Sequence, residues 1–387
     1  FGDTTKGDYA YESAPNSTDL TWETVITKNI GLDLGFLNNR LNVSFDAYIR
    51  DTKDMLMAGK TLPGVYGASS PRMNVADLRT KGWEASVTWG DSFTLASKPF
   101  NYRIMAGIGD NTSKVTKYDN PNRTLTDPYE GQQLGEIWGY VVDGYFKTDE
   151  EARNYKVDQS FVNQMINASA LDNGLHAGDL KFVDLDGNNK IEQTTSANDR
   201  KDMKVIGNSL PRYNYNFGIS ADWYGIDFSV LFQGIGKQNW YPGAETSMFW
   251  GPYSRPYASF IPSDFMSQVW SEENTNAYFP RPRGYVALGS NRELAVVNTK
   301  YLQNLAYCRL KNLSIGYTLP DKWLSKIGFE KIRVYFSGEN LLTFTKLHSD
   351  YIDPEQASAS NSWKTSKSDA NIYPWAKTYS FGVDITF

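Results

Sequence analysis

Hydrophobic and polar residues alternate with period two in stretch after stretch of this chain. Ile30, Leu32, Leu34 and Phe36 alternate with Gly31, Asp33 and Gly35, and Leu41, Val43, Phe45, Ala47 and Ile49 alternate with Asn42, Ser44, Asp46 and Tyr48. The same rhythm runs through Ala85, Val87 and Trp89, through Phe217 to Trp223, Ile226 to Val230 and Ile332 to Phe336, and through Tyr379 to Phe387. Successive side chains of a strand point to opposite faces, so each run predicts a strand with one apolar and one polar face. The predicted strands are 20–36, 41–52, 75–90, 100–117, 212–224, 226–238, 305–318, 331–345 and 374–387. In 305–318 the phase is mixed, because Arg309 and Lys311 fall on the face of Leu313, Ile315 and Tyr317.

A soluble two-sheet sandwich shows the same alternation. Three features favour a membrane barrel. The apolar faces carry aromatics at strand ends (Phe36, Trp89, Trp223, Phe387), as an interfacial girdle requires. The polar faces carry carboxylates (Asp33, Asp46, Asp222, Asp227, Asp384), which a wet lumen permits. The connections also alternate in length: short at Leu37–Arg40, Asp91–Pro99, Tyr224–Gly225 and Leu319–Glu330, long at 53–74, 118–211, 239–304 and 346–373. Short turns on one side and long loops on the other mark an outer-membrane barrel, and a sandwich gives no reason for them. Nine strands cannot close alone in a bilayer, because each open edge leaves backbone groups unpaired in hydrocarbon. The fold class expected is therefore all-β, an antiparallel transmembrane β-barrel, with residues 1–387 as its C-terminal part. Residues 118–211 and 239–304 are its large extracellular loops, and an N-terminal fragment of the same protein is expected to supply the other strands. The chain opens on Phe1 and not on methionine, so it reads as a mature or cleaved segment.

Composition removes other classes. No run of about 18 apolar residues occurs anywhere in the sequence, which excludes a helical membrane protein. A net charge of −5 offers nucleic acid no basic footprint. The single cysteine, Cys308, excludes an intramolecular disulfide framework or a cysteine-rich zinc site; mid-strand, it reads as a buried, inert thiol. The two histidines, His176 and His348, are far apart in sequence and no nucleophile-elbow motif occurs, so nothing points to an enzyme.

Phrases along the chain carry a family resemblance. They are Lys28–Leu41 (KNIGLDLGFLNNRL), Thr52–Leu56 (TKDML), Thr80–Glu84 (TKGWE), Gly135–Tyr145 (GEIWGYVVDGY), Gly178–Ile191, Val205–Pro211 (VIGNSLP), Arg309–Pro320 (RLKNLSIGYTLP) and Val334–Lys346 (VYFSGENLLTFTK), with a terminal strand ending in Phe387. In this order, over nearly the whole chain, they resemble the C-terminal half of the SusC-like (RagA-like) TonB-dependent outer-membrane transporters of Bacteroidetes. The resemblance implies a plugged barrel of roughly 22 strands, of which about nine or ten lie here. It implies an outer-membrane importer capped by a SusD-like surface lipoprotein, energised through TonB, with a dimer of such pairs as a further expectation. The plug domain and TonB box are expected upstream of Phe1. Oligosaccharide is the commoner cargo that the resemblance implies, and oligopeptide is the runner-up. A passive porin or surface binding protein is the alternative from a different class.

Two local patterns suggest sites. Asp184-Leu-Asp186-Gly-Asn188-Asn189-Lys190-Ile191 resembles the first eight positions of a calcium loop, with oxygen ligands at 1, 3 and 5 and the Lys190 carbonyl at 7. Position 6 is Asn189 in place of glycine, and position 12 is Thr195 in place of an acid. Asp199 is taken to close the site, with Asp202 as the other candidate, and the calcium would be structural. The competing reading is an ordinary polar turn. In the loop 239–262, Trp240, Tyr241, Phe249, Trp250, Tyr253 and Tyr257 are dense enough for contact with substrate or lipoprotein, or for self-packing; interface or packing is the preferred reading. Helical spacing over 149–170, with Phe161, Met165 and Ile166 on one face and Thr148 as N-cap, predicts a short helix on the first large loop.

Overall fold

The computed structural model describes residues 17, 19–59, 64–67, 69–163, 174–254, 260–289, 292–324, 328–357, 367–368 and 373–387. Its frame is one antiparallel sheet: β1 (Thr24–Phe36), β2 (Leu41–Ala58), β3 (Arg72–Leu95), β4 (Lys98–Lys117), β5 (Arg212–Trp223), β6 (Ile226–Lys237), β7 (Tyr307–Thr318), β8 (Lys331–Thr345) and β9 (Thr378–Thr386). Each strand pairs with the next in chain order. All nine predicted strands are present. β2 and β3 run further than the alternation suggested, so the expected 91–99 connection shrinks to the Ala96-Ser97 turn. Both turn residues have positive φ (48° and 61°), as do Tyr224 (52°) and Gly225 (86°), the handedness that matches strand twist in a two-residue hairpin.

The registers carry the alternation across the whole sheet. Phe36, Leu41, Trp89, Ile104, Ile219, Val230, Leu313, Gly338 and Tyr379 form one continuous cross-strand row on the apolar face. On the opposite face, Arg103, Ser220, Ser229, Ser314, Ser337 and Ser380 form another. The apolar side chains stand open: Ile104, Ile219 and Ile315 are 43–44% exposed. Such a face has no place in water and suits lipid. At the short-turn end, Trp89 donates to the Tyr102 hydroxyl at 2.9 Å, Lys98 lies over Tyr224 at 5.4 Å, and Phe329 meets Phe387 at 5.4 Å. Trp89 and Phe387 are two of the four strand-end aromatics that the pattern predicted; Tyr102, Tyr224 and Phe329 join them.

The mixed phase of β7 resolves into a β-bulge. Leu310 pairs with Phe232 and Leu342, and Asn312 with Leu231 and Glu339, which leaves Lys311 as an extra residue. A bulge flips the parity of everything before it, so Arg309 turns onto the polar face beside Gln233 and Thr343. There it is 3% exposed and donates to Asp353 and Glu355 at 2.7 Å each. Lys311 reaches Glu355 at 2.7 Å and lies 5.7 Å from the Trp375 ring. The Trp375 N–H donates to Asp353 at 3.2 Å. Two cations on one strand thus clamp both ends of the last long loop to the wall. Cys308, one residue before Arg309, is half-buried.

The sheet contributes little to the buried core, which lies in the long loops. Glu136–Tyr140 pairs with Met203–Asn208, Val142–Tyr145 with Leu180–Phe182, and Asn239–Pro242 with both Gln303–Asn304 and Lys367–Ser368. These segments enclose Tyr140, Phe182 and Ile191 from the 118–211 loop, Trp240, Trp250, Phe279 and Tyr301 from the 238–306 loop, and Leu347 and Ile352 from the last. The expected helix is one short turn, Asp149–Arg153, with Thr148 Oγ1 accepting the Glu151 N–H at 3.1 Å as its N-cap. It cannot run on through Asp158, whose backbone donates to the Asn189 carbonyl at 2.9 Å and accepts from the Ile191 N–H at 2.8 Å. Phe161 packs against the loop core; Met165 and Ile166 lie outside the described residues.

Two outcomes follow. Truncating Arg309→Ala removes the cation paired with Asp353 and one of the two paired with Glu355, and breaking a buried pair costs about 3–5 kcal/mol. Surface proteolysis of the 346–377 loop on intact membranes should then quicken by about a hundredfold or more. Gly382 sits beneath the ring of its cross-strand partner Tyr335, where a Cβ would collide. Gly382→Ala should lower barrel stability by about 1–3 kcal/mol, read as an earlier urea midpoint.

Candidate functional site

The polar face of the sheet is a wall of amides, hydroxyls and paired charges. Ser44, Asp46, Tyr48, Glu84, Ser86, Asp110, Asn111, Asn214 and Asn216 line a concavity across β2 to β5. The predicted inner carboxylates all belong to this side, and most are engaged. Asp33 accepts from Ser44 Oγ at 2.5 Å, and Asp222 from Asn101 at 2.8 Å. Asp227 and Asp384 share Arg333, at 2.6 and 3.2 Å. Asp110 holds Arg212 through both carboxylate oxygens at 2.5 Å. The alternation implied this face, but the sequence reading did not single out Glu84, Asp110, Asn214 or Asn216. Only register brings residues so distant in sequence into one concavity.

The acidic turn is closed by hydrogen bonds from its own backbone to its side chains. Asp184 accepts the N–H groups of Gly187 and Asn189, both at 2.7 Å. Asp186 accepts that of Asn188 at 3.1 Å, and Asn188 Oδ1 that of Lys190 at 2.8 Å. Asn189 adopts φ +63°, a left-handed conformation that asparagine tolerates better than most residues. The closing carboxylate differs from the one expected. Asp199 sits in a turn with its N–H on the Ser196 carbonyl at 3.1 Å, while Asp184, Asp186 and Asp202 have oxygens within 4.8 Å of one another. Asp202 is fully buried, held by the N–H groups of Leu185 and Glu192 at 2.9 and 2.7 Å. The turn at Ser196–Asp199 swings the chain so that the residue three positions later points back. Burial, and after it the nearby Asp186 and Asp184 charges, push the Asp202 carboxyl above its usual range. Three converging carboxylates make an all-oxygen donor set, which fits a hard cation such as calcium and suits zinc poorly.

The aromatic loop is packed inward. Trp240, Tyr241, Trp250, Tyr253 and Phe249 are 0–3% exposed. Their polar tips are satisfied inside: Tyr241 donates to the Leu294 carbonyl at 2.8 Å, Trp250 to Gly243 at 3.0 Å and Tyr253 to Pro280 at 2.7 Å. These five rings hold the loops together and turn no free face to a ligand or partner. Tyr257 lies outside the described residues.

Comparison with known proteins agrees with this architecture. The model of the family "TonB dependent receptor-like, beta-barrel" matches residues 2–341. The chain is 28% identical to TonB-dependent receptor P3 of Formosa agariphila over 388 residues, covering 95% of this chain and 34% of that protein. It is 24% identical to TonB-dependent receptor SusC of Bacteroides thetaiotaomicron over 391 residues, covering 100% and 34%. Among solved structures it resembles the RagAB peptide transporter, with a TM-score of 0.67 at 21% identity, covering 96% of this chain and 36% of that one. The chain thus spans about a third of the length of these relatives. It belongs to the TonB-dependent receptor β-barrel family.

Proposed function

We propose that this chain is part of an outer-membrane importer that works with a surface lipoprotein lid, draws energy through TonB, and takes up oligosaccharides. Further strands of the same transporter would pair with β1 and β9, since open edges are not tolerated in hydrocarbon. The observation that carries the cargo reading is the inner wall. Asp110 is paired with Arg212, and Asp227 and Asp384 share Arg333, while Asp46 and Glu84 stand in the concavity with no ion pair among the described residues. Around them lies a field of serine hydroxyls and asparagine amides, and carboxylates, hydroxyls and amides together suit a hydroxyl-rich chain. One observation favours a second reading, oligopeptide cargo: the fold likeness to a structure titled as a peptide transporter.

Mass spectrometry of the whole transporter purified from outer membranes tests this. A co-purifying lipoprotein with ligand masses spaced by sugar residues is the expected result, and peptide masses would select the second reading. Steady open conductance in planar bilayers would replace both with a porin.

We also read the Asp184–Asp202 turn as a structural calcium site that staples the 118–211 loop. Chelation should speed proteolysis of that loop by tenfold or more, which is about 1.4 kcal/mol, and added calcium should restore protection. Asp202→Asn keeps one acceptor oxygen but should abolish the calcium response. Protease resistance unmoved by chelator would remove the metal from this reading.

A further inference from the structure

The two largest extracellular loops meet at a buried charge cluster that has too little positive charge. Asp179, on the loop between β4 and β5, and Glu293, on the loop between β6 and β7, are both fully buried. Arg283 is the cation beside them. It donates to Asp179 Oδ1 through Nη2 and, at 3.1 Å, through Nε, but stands 3.9 Å from Glu293 Oε1. Asp179 is further satisfied by the His176 N–H at 2.9 Å on its other oxygen. Glu293 is not matched in this way. Its Oε2 accepts the Leu180 N–H at 3.2 Å, and its Oε1 is buried with no hydrogen-bond partner.

The surroundings supply little further compensation. Arg281 attracts the Glu293 carboxylate more weakly than Arg283 does. The phenols close enough to feel its charge are Tyr145, Tyr241, Tyr253 and Tyr301. Burial pushes all four above the usual tyrosine range, so they stay neutral. A buried carboxylate with one oxygen unpaired is costly, and a neutral carboxylic acid is the cheaper occupant. Burial first, and the Asp179 charge second, push the Glu293 carboxyl up to about 8.

We propose that Asp179, Arg283 and Glu293 form a proton-held latch between the two largest extracellular loops, closed while Glu293 carries a proton and loosened when it loses it. The sign follows from linkage. The closed joint holds a proton that the opened joint releases, because an exposed glutamate returns to its ordinary value of about 4.3. Between that value and about 8, the opening equilibrium therefore rises about tenfold per pH unit for one proton. Below this window the latch is at its tightest, and above it the dependence levels off. The inference goes beyond the transport reading, and no step of it depends on cargo.

Hydrogen exchange on the whole transporter tests it, read as protection factors for amides in 176–183 and 292–299 and corrected for the intrinsic pH dependence of exchange. Wild-type protection should fall by close to tenfold per pH unit between about pH 5.5 and 7.5. Glu293→Gln, which mimics the protonated form, should be flat over that range. Asp179→Asn removes the second of the two causes and should move the upper end of the slope to lower pH, and it serves as the test if the glutamine variant fails to fold. Protection independent of pH in the wild type would overturn the latch. So would the glutamine variant retaining the wild-type slope, or Asp179→Asn leaving the upper end of the slope unmoved.

Discussion

A strand that crosses hydrocarbon has nowhere to put a backbone N–H or C=O except into a neighbouring strand. That constraint organises everything else here. It requires an uninterrupted ladder, and the nine strands provide one, each hydrogen-bonded to its neighbours in chain order. It also makes the turns at one end short, since consecutive strands must lie side by side. Chain length left over has to gather at the other end. β1 and β9 have one neighbour each among the described residues, so the same constraint applies at both edges of the sheet.

The ladder also decides where the core is. With one face of the sheet apolar and the other polar, no layer among the described residues packs on the sheet to form an interior. The aromatic residues that would fill such a core in a soluble protein are gathered in the loops, around Trp240, Trp250, Phe279 and Tyr301. The loop body is then tied to the wall by charge. Arg309 and Lys311 bind Asp353 and Glu355 at the mouth, and buried ion pairs are intolerant of losing one partner. The two large loops are joined to one another by a second charged cluster, around Arg283. The loops are thus ordered by a core and two ionic joints of their own.

Much of the fold was legible before any coordinates. Period-two alternation is a local signal, and the loop asymmetry followed from strand spacing alone. What the sequence hid was non-local. Arg309 looked misplaced because a bulge at Lys311 cannot be read from one strand; it exists only relative to the register of β6 and β8. The 149–170 helix could not run on through Asp158, whose backbone found its partners in the 189–191 turn. Spacing does not separate Asp199 from Asp202 as the carboxylate near Asp184 and Asp186; the turn at Ser196 brings Asp202 to them. The aromatic loop was correctly seen as unusual, but density of rings says nothing of whether they face in or out.

The sequence by itself determined the strands, their two faces, the side on which the long loops fall and the family to which the chain belongs. These depend on residues a few positions apart, and the lipid solvent enforces them strand by strand. Only the tertiary structure decided which polar residues share a concavity, which carboxylate completes the acidic turn, and which buried acid lacks a matching base. Those are relations between segments more than a hundred residues apart, such as Asp179 with Arg283, and they exist only once register and loop packing have brought the segments together.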